Sequence, residues 1–317
     1  MAYVYAKKMS TFTFEKMRGF LWKRFARIYP AHFTVLMGFL VLITFAYFSG
    51  ASYTPEFHTV PKFFYALFLI NGIGIPDSVG WNFPSWTLSS EFVAYVCFPF
   101  LILWTTRLNY RQSFIVIVAI YATMFGLAFI VNNGESYYLP WTYILTRIAS
   151  QFTVGCLLYN LASYPPLIRI SNWIAPLTFV AVLVVSAVYE HEMAFGVLCI
   201  LYAILIVTVA NDSSSPLNTI FSSRPMVFLG EVSYSIYIVQ NLTGIILSQV
   251  IKKSPEFAEI LGSNVFFKPI VSLVAAIVGG TILHFTIEAP AAKWLNAHGK
   301  EIRLKVFSAF RVRRSVV

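Results

Sequence analysis

Two groups of residues in this sequence have types and spacings suited to chemistry. The first is Gly80-Trp-Asn-Phe-Pro-Ser-Trp-Thr-Leu-Ser-Ser-Glu91, followed by Phe92-Val-Ala-Tyr95. It sets a carboxylate, Glu91, among the hydrogen-bonding side chains of Asn82, Ser85 and Ser89, with Trp86 between them. Ser85 or Thr87 can cap a helix there, and the positive end of the helix dipole favours Glu91 in the first turns. Glu91 and Tyr95 would share a face one turn apart. The same residues also make a well-capped helix with an interfacial tryptophan belt at Trp81 and Trp86. The second group is Lys23-Arg24-Phe-Ala-Arg27-Ile-Tyr-Pro30. If that stretch is helical, Arg24 and Arg27 lie on one face, a geometry that suits phosphate. An ordinary basic flank of a membrane helix reads the same way.

Further polar residues stand inside apolar runs, where ionisable groups are costly and each is a functional candidate. Arg147 and Gln151 are four apart, although Arg147 near a helix start can also snorkel to the interface. Leu229-Gly-Glu231-Val-Ser233-Tyr234-Ser-Ile-Tyr237-Ile-Val-Gln240 puts Ser233, Tyr237 and Gln240 on one stripe, an arrangement commonly used to hold helices together. The last apolar run carries His284, read as a packing residue, and closes at Glu288-Ala-Pro290.

The elements that must position these residues follow from composition. Of 317 residues, 58% are hydrophobic and 11% are charged. A soluble domain carries about 25% charged residues, so this chain has too few to cover its surface. The expected fold is all-α, a polytopic bundle, because strand alternation is absent and a spanning helix needs about 20 apolar residues. Candidate spans are 31–49, 88–106, 113–132, 143–162, 173–190, 193–210, 227–249 and 266–287, about eight in all. Segment 60–75 opens with Pro61-Lys62 and ends in Asn71-Gly-Ile-Gly-Ile-Pro76, and reads as an outer stretch only partly embedded in the membrane. Basic residues crowd 1–30 and 291–317, which flank a transmembrane body at 31–290 and place both ends in the cytoplasm. Eight crossings then leave Arg107, Arg111, Arg169 and Arg224 inside, and Glu56, Asp77, Glu135 and Glu190-His191-Glu192 outside. The net charge of +10 is thus juxtamembrane charge facing anionic lipid, with no nucleic-acid partner implied. Cys97, Cys156 and Cys199 lie in apolar runs and suggest neither a disulfide framework nor a metal site. Met1-Ala-Tyr-Val-Tyr5 reads as the last turn of a helix that begins earlier.

Four ordered signatures resemble the acyltransferase family 3 of integral membrane O-acyltransferases. They are Arg24-x-x-Arg27-Ile-x-Pro30, Asn82-x-Pro-Ser85-Trp86-Thr-Leu-Ser89-x-Glu91, Leu229-Gly-x-x-Ser233-Tyr234-Ser-x-Tyr237, and Glu288-x-Pro290. The resemblance implies transfer of an acyl group, usually acetyl, from cytoplasmic acyl-CoA to a hydroxyl of a cell-surface glycan or lipid-linked saccharide. It implies acyl-CoA as co-substrate and no metal. Arg24, Arg27 and Arg147 would hold its phosphates, and Asn82, Ser85 and Ser89 would donate hydrogen bonds near the reacting groups. Glu91 would orient a histidine. Trp86, Tyr95, Ser233, Tyr234, Tyr237, Gln240 and Glu288 would line the pocket. The family carries its Arg and His on a first helix that this sequence does not show, and often has His where Gln240 stands, so the chain is expected to be a truncated and inactive body. The alternatives are a transporter or flippase of lipid-linked sugars, with Arg147, Glu91 and Glu231 along its path, and a non-catalytic membrane remnant.

Overall fold

The computed structural model describes residues 1–9, 11–50, 53–134, 138–163, 173–189, 191–211, 216–262 and 264–299. The loop residues Glu135, Arg169 and Glu190, the side chains of His191 and Glu192, and the tail from 300 onward lie outside the described residues. Among the described residues the regular elements are all helical. This is what a bilayer demands, since a helix satisfies its own backbone groups without water. The helices are α1 (Ala2–Tyr5), α2 (Phe14–Ser49), α3 (Val60–Leu67), α4 (Ser85–Thr105), α5 (Tyr110–Val131) and α6 (Ile144–Ala162). They continue with α7 (Ile174–Val188), α8 (His191–Asn211), α9 (Pro216–Phe221), α10 (Arg224–Lys253), α11 (Pro255–Gly262) and α12 (Phe267–Gly299).

Five of these, α2, α4, α5, α10 and α12, are long and apolar enough to cross a membrane. Helices also occupy the other three expected spans, but α7 has 15 residues and α6 carries Arg147 and Gln151. Segment 60–75 supplies only α3, whose eight residues reach about 12 Å and fall short of a crossing. It belongs to a compact knot. Lys62 is buried there, donating to Asp77 Oδ1 at 2.5 Å and to the Glu56 carbonyl at 2.8 Å. Gly80 is required in that knot, because a Cβ would stand 2.2 Å from the Phe57 carbonyl oxygen. Trp81 is buried with its indole N–H on the Thr59 carbonyl, so it is part of the knot and does not form an interfacial belt.

The basic flank and the first span are one helix. At 36 residues, α2 runs about 54 Å, well beyond the ~30 Å hydrocarbon core, and carries Arg24 and Arg27 on its emergent part. The last span likewise continues past residue 290 to Gly299. The Trp22 indole donates to the Leu295 carbonyl at 3.0 Å, clamping the two extensions together.

The chain divides into two compact units. The first comprises Met1–Phe14, Gly72–Pro76 and Ser89–Gly230. Its core lies between α5, α6 and α8, where Ile117, Val154, Leu157, Leu158 and Val207 cluster. Asn160 on α6 ties this packing to the α4–α5 turn through the Thr105 carbonyl and the Ser113 hydroxyl. The second comprises Glu15–Asn71, Asp77–Leu88 and Glu231–Val317. A close contact joins α12 to α10. A Cβ on Gly280 would lie 2.5–2.6 Å from Ile236, including that residue's backbone, so only glycine permits this approach.

Candidate active site

Close packing at Gly280 brings the middle of α12 against the middle of α10. One turn beyond it α12 widens into a π-turn over His284–Glu288, a distortion often found at functional sites. The wider turn directs His284 and Glu288 inward, where both are buried. Glu288 Oε2 accepts from Ser235 Oγ at 2.6 Å and from His284 Nδ1 at 3.0 Å. With the carboxylate ionised and the imidazole neutral, the imidazole proton sits on Nδ1 and Nε2 carries the lone pair. That Nε2 faces Glu231 Oε1 at 3.8 Å, and the Glu231 side chain is 62% exposed. Arg27 Nε stands 4.0 Å from the other Glu288 oxygen. The result is a hydroxyl, a carboxylate and an imidazole in line, with an arginine behind and an exposed carboxylate in front. Such a line can orient an imidazole and accept a proton at Nε2.

Around this line the sequence-predicted residues of the second unit are drawn in by α10. Asn82 Nδ2 donates to the Ile238 carbonyl at 3.0 Å, and Thr87 Oγ1 donates to Tyr237 Oη at 2.9 Å. Tyr234 Oη donates to the Ile28 carbonyl, one residue beyond Arg27. Ser85 opens α4 and does not cap it: its Oγ donates back to the Asn82 carbonyl and accepts from Asn71 Nδ2. The helix starts from a turn, in which the Ser85 amide donates to the Asn82 carbonyl at 3.0 Å and Pro84 precedes the first helical residue. Ser233 and Gln240 face outward, so the interior polar side chain of α10 is Ser235 and not the expected Ser233 stripe. Gln240 instead lines a cavity of about 500 Å³ with Phe83, Pro84, Ile236, Asn241, Ser272, Leu273 and Ala276. Arg24 lies over the Phe20 ring on the same helix as Arg27.

Three buried acceptor atoms in this unit have no hydrogen-bond partner among the described residues: His32 Nδ1, Asn71 Oδ1 and Asn82 Oδ1. His32 is fully buried with Nε2 on the Ala66 carbonyl at 2.9 Å, which leaves Nδ1 as a bare acceptor. Buried acceptors are seldom left unmatched, so this region calls for hydroxyl donors, from water or from a ligand.

The first unit holds the remaining predicted residues. Ser89 Oγ accepts from the Gly72 amide at 3.0 Å, and Ser90 donates to the Gly72 carbonyl, fixing the glycine-rich turn onto α4. Tyr95 donates to Glu91, as their spacing predicts, while Glu91 itself is exposed. Trp86, of the second unit, is half-buried. Arg147 is 6% exposed and stacks on the Tyr138 ring at 4.3 Å.

Sequence reasoning missed Ser235, placed Glu231 only on a transporter's path, and read His284 as packing. The available signal was the i, i+4 spacing of His284 and Glu288, a pairing that puts imidazole and carboxylate on one helix face.

These elements match a known group of proteins. The family model described as the acyltransferase domain, that of acyltransferase family 3, matches residues 2–289. The chain belongs to this acyltransferase family. A relative, "Acyltransferase MdmB" of Streptomyces mycarofaciens, is 24% identical to the acyltransferase over 312 residues, covering 89% of this chain and 76% of the relative. No solved structure matches it. Family, apolar helices and all-helical fold together make it a membrane acyltransferase.

Proposed function

We propose that this acyltransferase is a multi-pass protein of the cell membrane that crosses it eight times, with both ends in the cytoplasm. It moves an acyl group, acetyl foremost, from cytoplasmic acyl-CoA to a hydroxyl of a cell-surface glycan or lipid-linked saccharide. The basic residues at both ends support the orientation. The observation that carries the reading is the Ser235–Glu288–His284 line with Arg27 beside it, inside the family-matched region.

In this reading Arg24 and Arg27, on the emergent part of α2, bind the phosphates of the coenzyme. Glu288 has the imidazole beside it whereas Glu91 has a phenol, so the orienting role passes to Glu288. His284 Nε2 takes the proton of the acceptor hydroxyl as its oxygen attacks the thioester carbonyl. The C–S bond then breaks, and the protonated imidazole returns the proton to the departing thiolate. Asn82 and Ser85 supply hydrogen-bonding groups near the acyl and acceptor sites. Binding of labelled acetyl-CoA to the purified protein tests the donor. Replacing Arg24 and Arg27 by Ala should weaken binding at least tenfold, and unchanged binding would remove the phosphate clamp.

A further inference from the structure

Arg147 is the most isolated charge in the first unit. It lies near the start of α6 with 6% of its surface exposed. Its guanidinium makes one long hydrogen bond, 3.4 Å to the Leu139 carbonyl, and stacks on Tyr138. No carboxylate lies within 4 Å of it among the described residues. A guanidinium this buried, with no carboxylate beside it among the described residues, is costly and calls for an anion.

Cys199 belongs to a cavity. One turn after Arg147, Gln151 donates to Cys199 Sγ at 3.7 Å, and both line a space of about 480 Å³ between α5, α6, α7 and α8. Its polar lining is Gln151, Tyr121, Ser186 and Tyr202. Gly155 adds room, because nothing lies within 4 Å of where its Cβ would be. Tyr121, Leu158 and Ala203 also line a second space of about 660 Å³, otherwise walled by side chains such as Phe114, Ile117, Val118 and Ile204. Both volumes fall in the range that holds small ligands. Along α6 the order is therefore Arg147, one turn before the chamber, then the polar chamber at Gln151 and the apolar groove at Leu158.

We propose that this slot binds an anionic single-chain amphiphile, with a phosphate or equivalent head at Arg147 and its alkyl or prenyl chain in the groove. The charge pattern puts the loop before α6 outside the membrane, so a ligand entering there comes from the non-cytoplasmic side, whereas coenzyme A is cytoplasmic. The proposal thus moves Arg147 from the donor to a lipid. It rests on the acyl-transfer reading only in taking that lipid to be the acceptor or its anchor.

Binding in the absence of any acyl-CoA keeps the two apart. The full chain in detergent is titrated with hexadecyl phosphate, hexadecanol and inorganic phosphate, and adducts are counted by native mass spectrometry. Hexadecyl phosphate should bind wild type at least tenfold more tightly than R147Q, and each half-ligand should bind far more weakly. Gly155→Leu, which fills the chamber and leaves the charge, should also weaken hexadecyl phosphate at least fivefold, and serves if R147Q fails to fold. Equal binding to wild type and to these variants would show nonspecific partition and overturn the site. Saturation by inorganic phosphate alone would overturn the chain-binding part, and loss of acetyl-CoA binding in R147Q would return Arg147 to the donor.

Discussion

At the residue scale the informative feature is how one carboxylate is satisfied. Glu288 is 3% exposed, and a buried carboxylate is tolerated only when donors surround it. Ser235 supplies the shortest of its hydrogen bonds, at 2.6 Å. Ser235→Ala should therefore lower thermal stability by about 1–2 kcal/mol, since a hydrogen bond to a charged group is lost while the carboxylate stays buried. A denaturation series comparing Ser235→Ala with Ser233→Ala checks this. Ser233 faces outward, and its replacement should cost well under half as much. Equal losses would mean that the inward face of α10 has been misassigned. Ser233 was the more conspicuous residue in the sequence, because the motif names it. Which of two hydroxyls two positions apart points inward depends on how α10 is rotated, and that is set by Gly280 on another helix.

At the element scale, the approach of α12 to α10 depends on one missing side chain. Gly280 meets the Ile236 backbone, which has no rotamer to yield, so a Cβ forces the helices apart. Gly280→Ala should destabilise by about 1–3 kcal/mol and weaken transfer, because the His284–Glu288 turn follows directly. Gly244 is the control, since its Cβ would meet nothing within 4 Å. Comparable melting temperatures for Gly280→Ala and Gly244→Ala would contradict the packing described. The helices themselves were legible from apolar run length, and α3 was readable as too short from its proline and glycines. The continuity of α2 through Pro30 was not, because proline in a helix reads as a boundary. Downstream of the proline, Thr34 Oγ1 donates to the Pro30 carbonyl at 2.9 Å, the i−4 bond that threonine commonly makes within a helix. The knot of 55–81 was also hidden. It rests on Lys62 meeting Asp77 and on Gly80 meeting Phe57, contacts that no periodicity announces.

At the scale of the whole molecule, the charge distribution and apolar helices make a membrane protein, and the family makes it an acyltransferase. What the sequence suggested for chemistry was a carboxylate, Glu91, awaiting a histidine. What the fold assembles is a different carboxylate, Glu288, with a histidine already in place. The difference arises because His284 reads as a packing residue, although its i, i+4 spacing from Glu288 already puts imidazole and carboxylate on one helix face. The central claim is that His284 carries the proton during acyl transfer, and single-turnover transfer from labelled acetyl-CoA to a saccharide acceptor tests it most directly. For His284→Gln, which keeps the size and one hydrogen bond but no basic nitrogen, transfer should fall at least a hundredfold while acetyl-CoA affinity stays within twofold of wild type. Transfer at the wild-type rate in that variant would contradict the account.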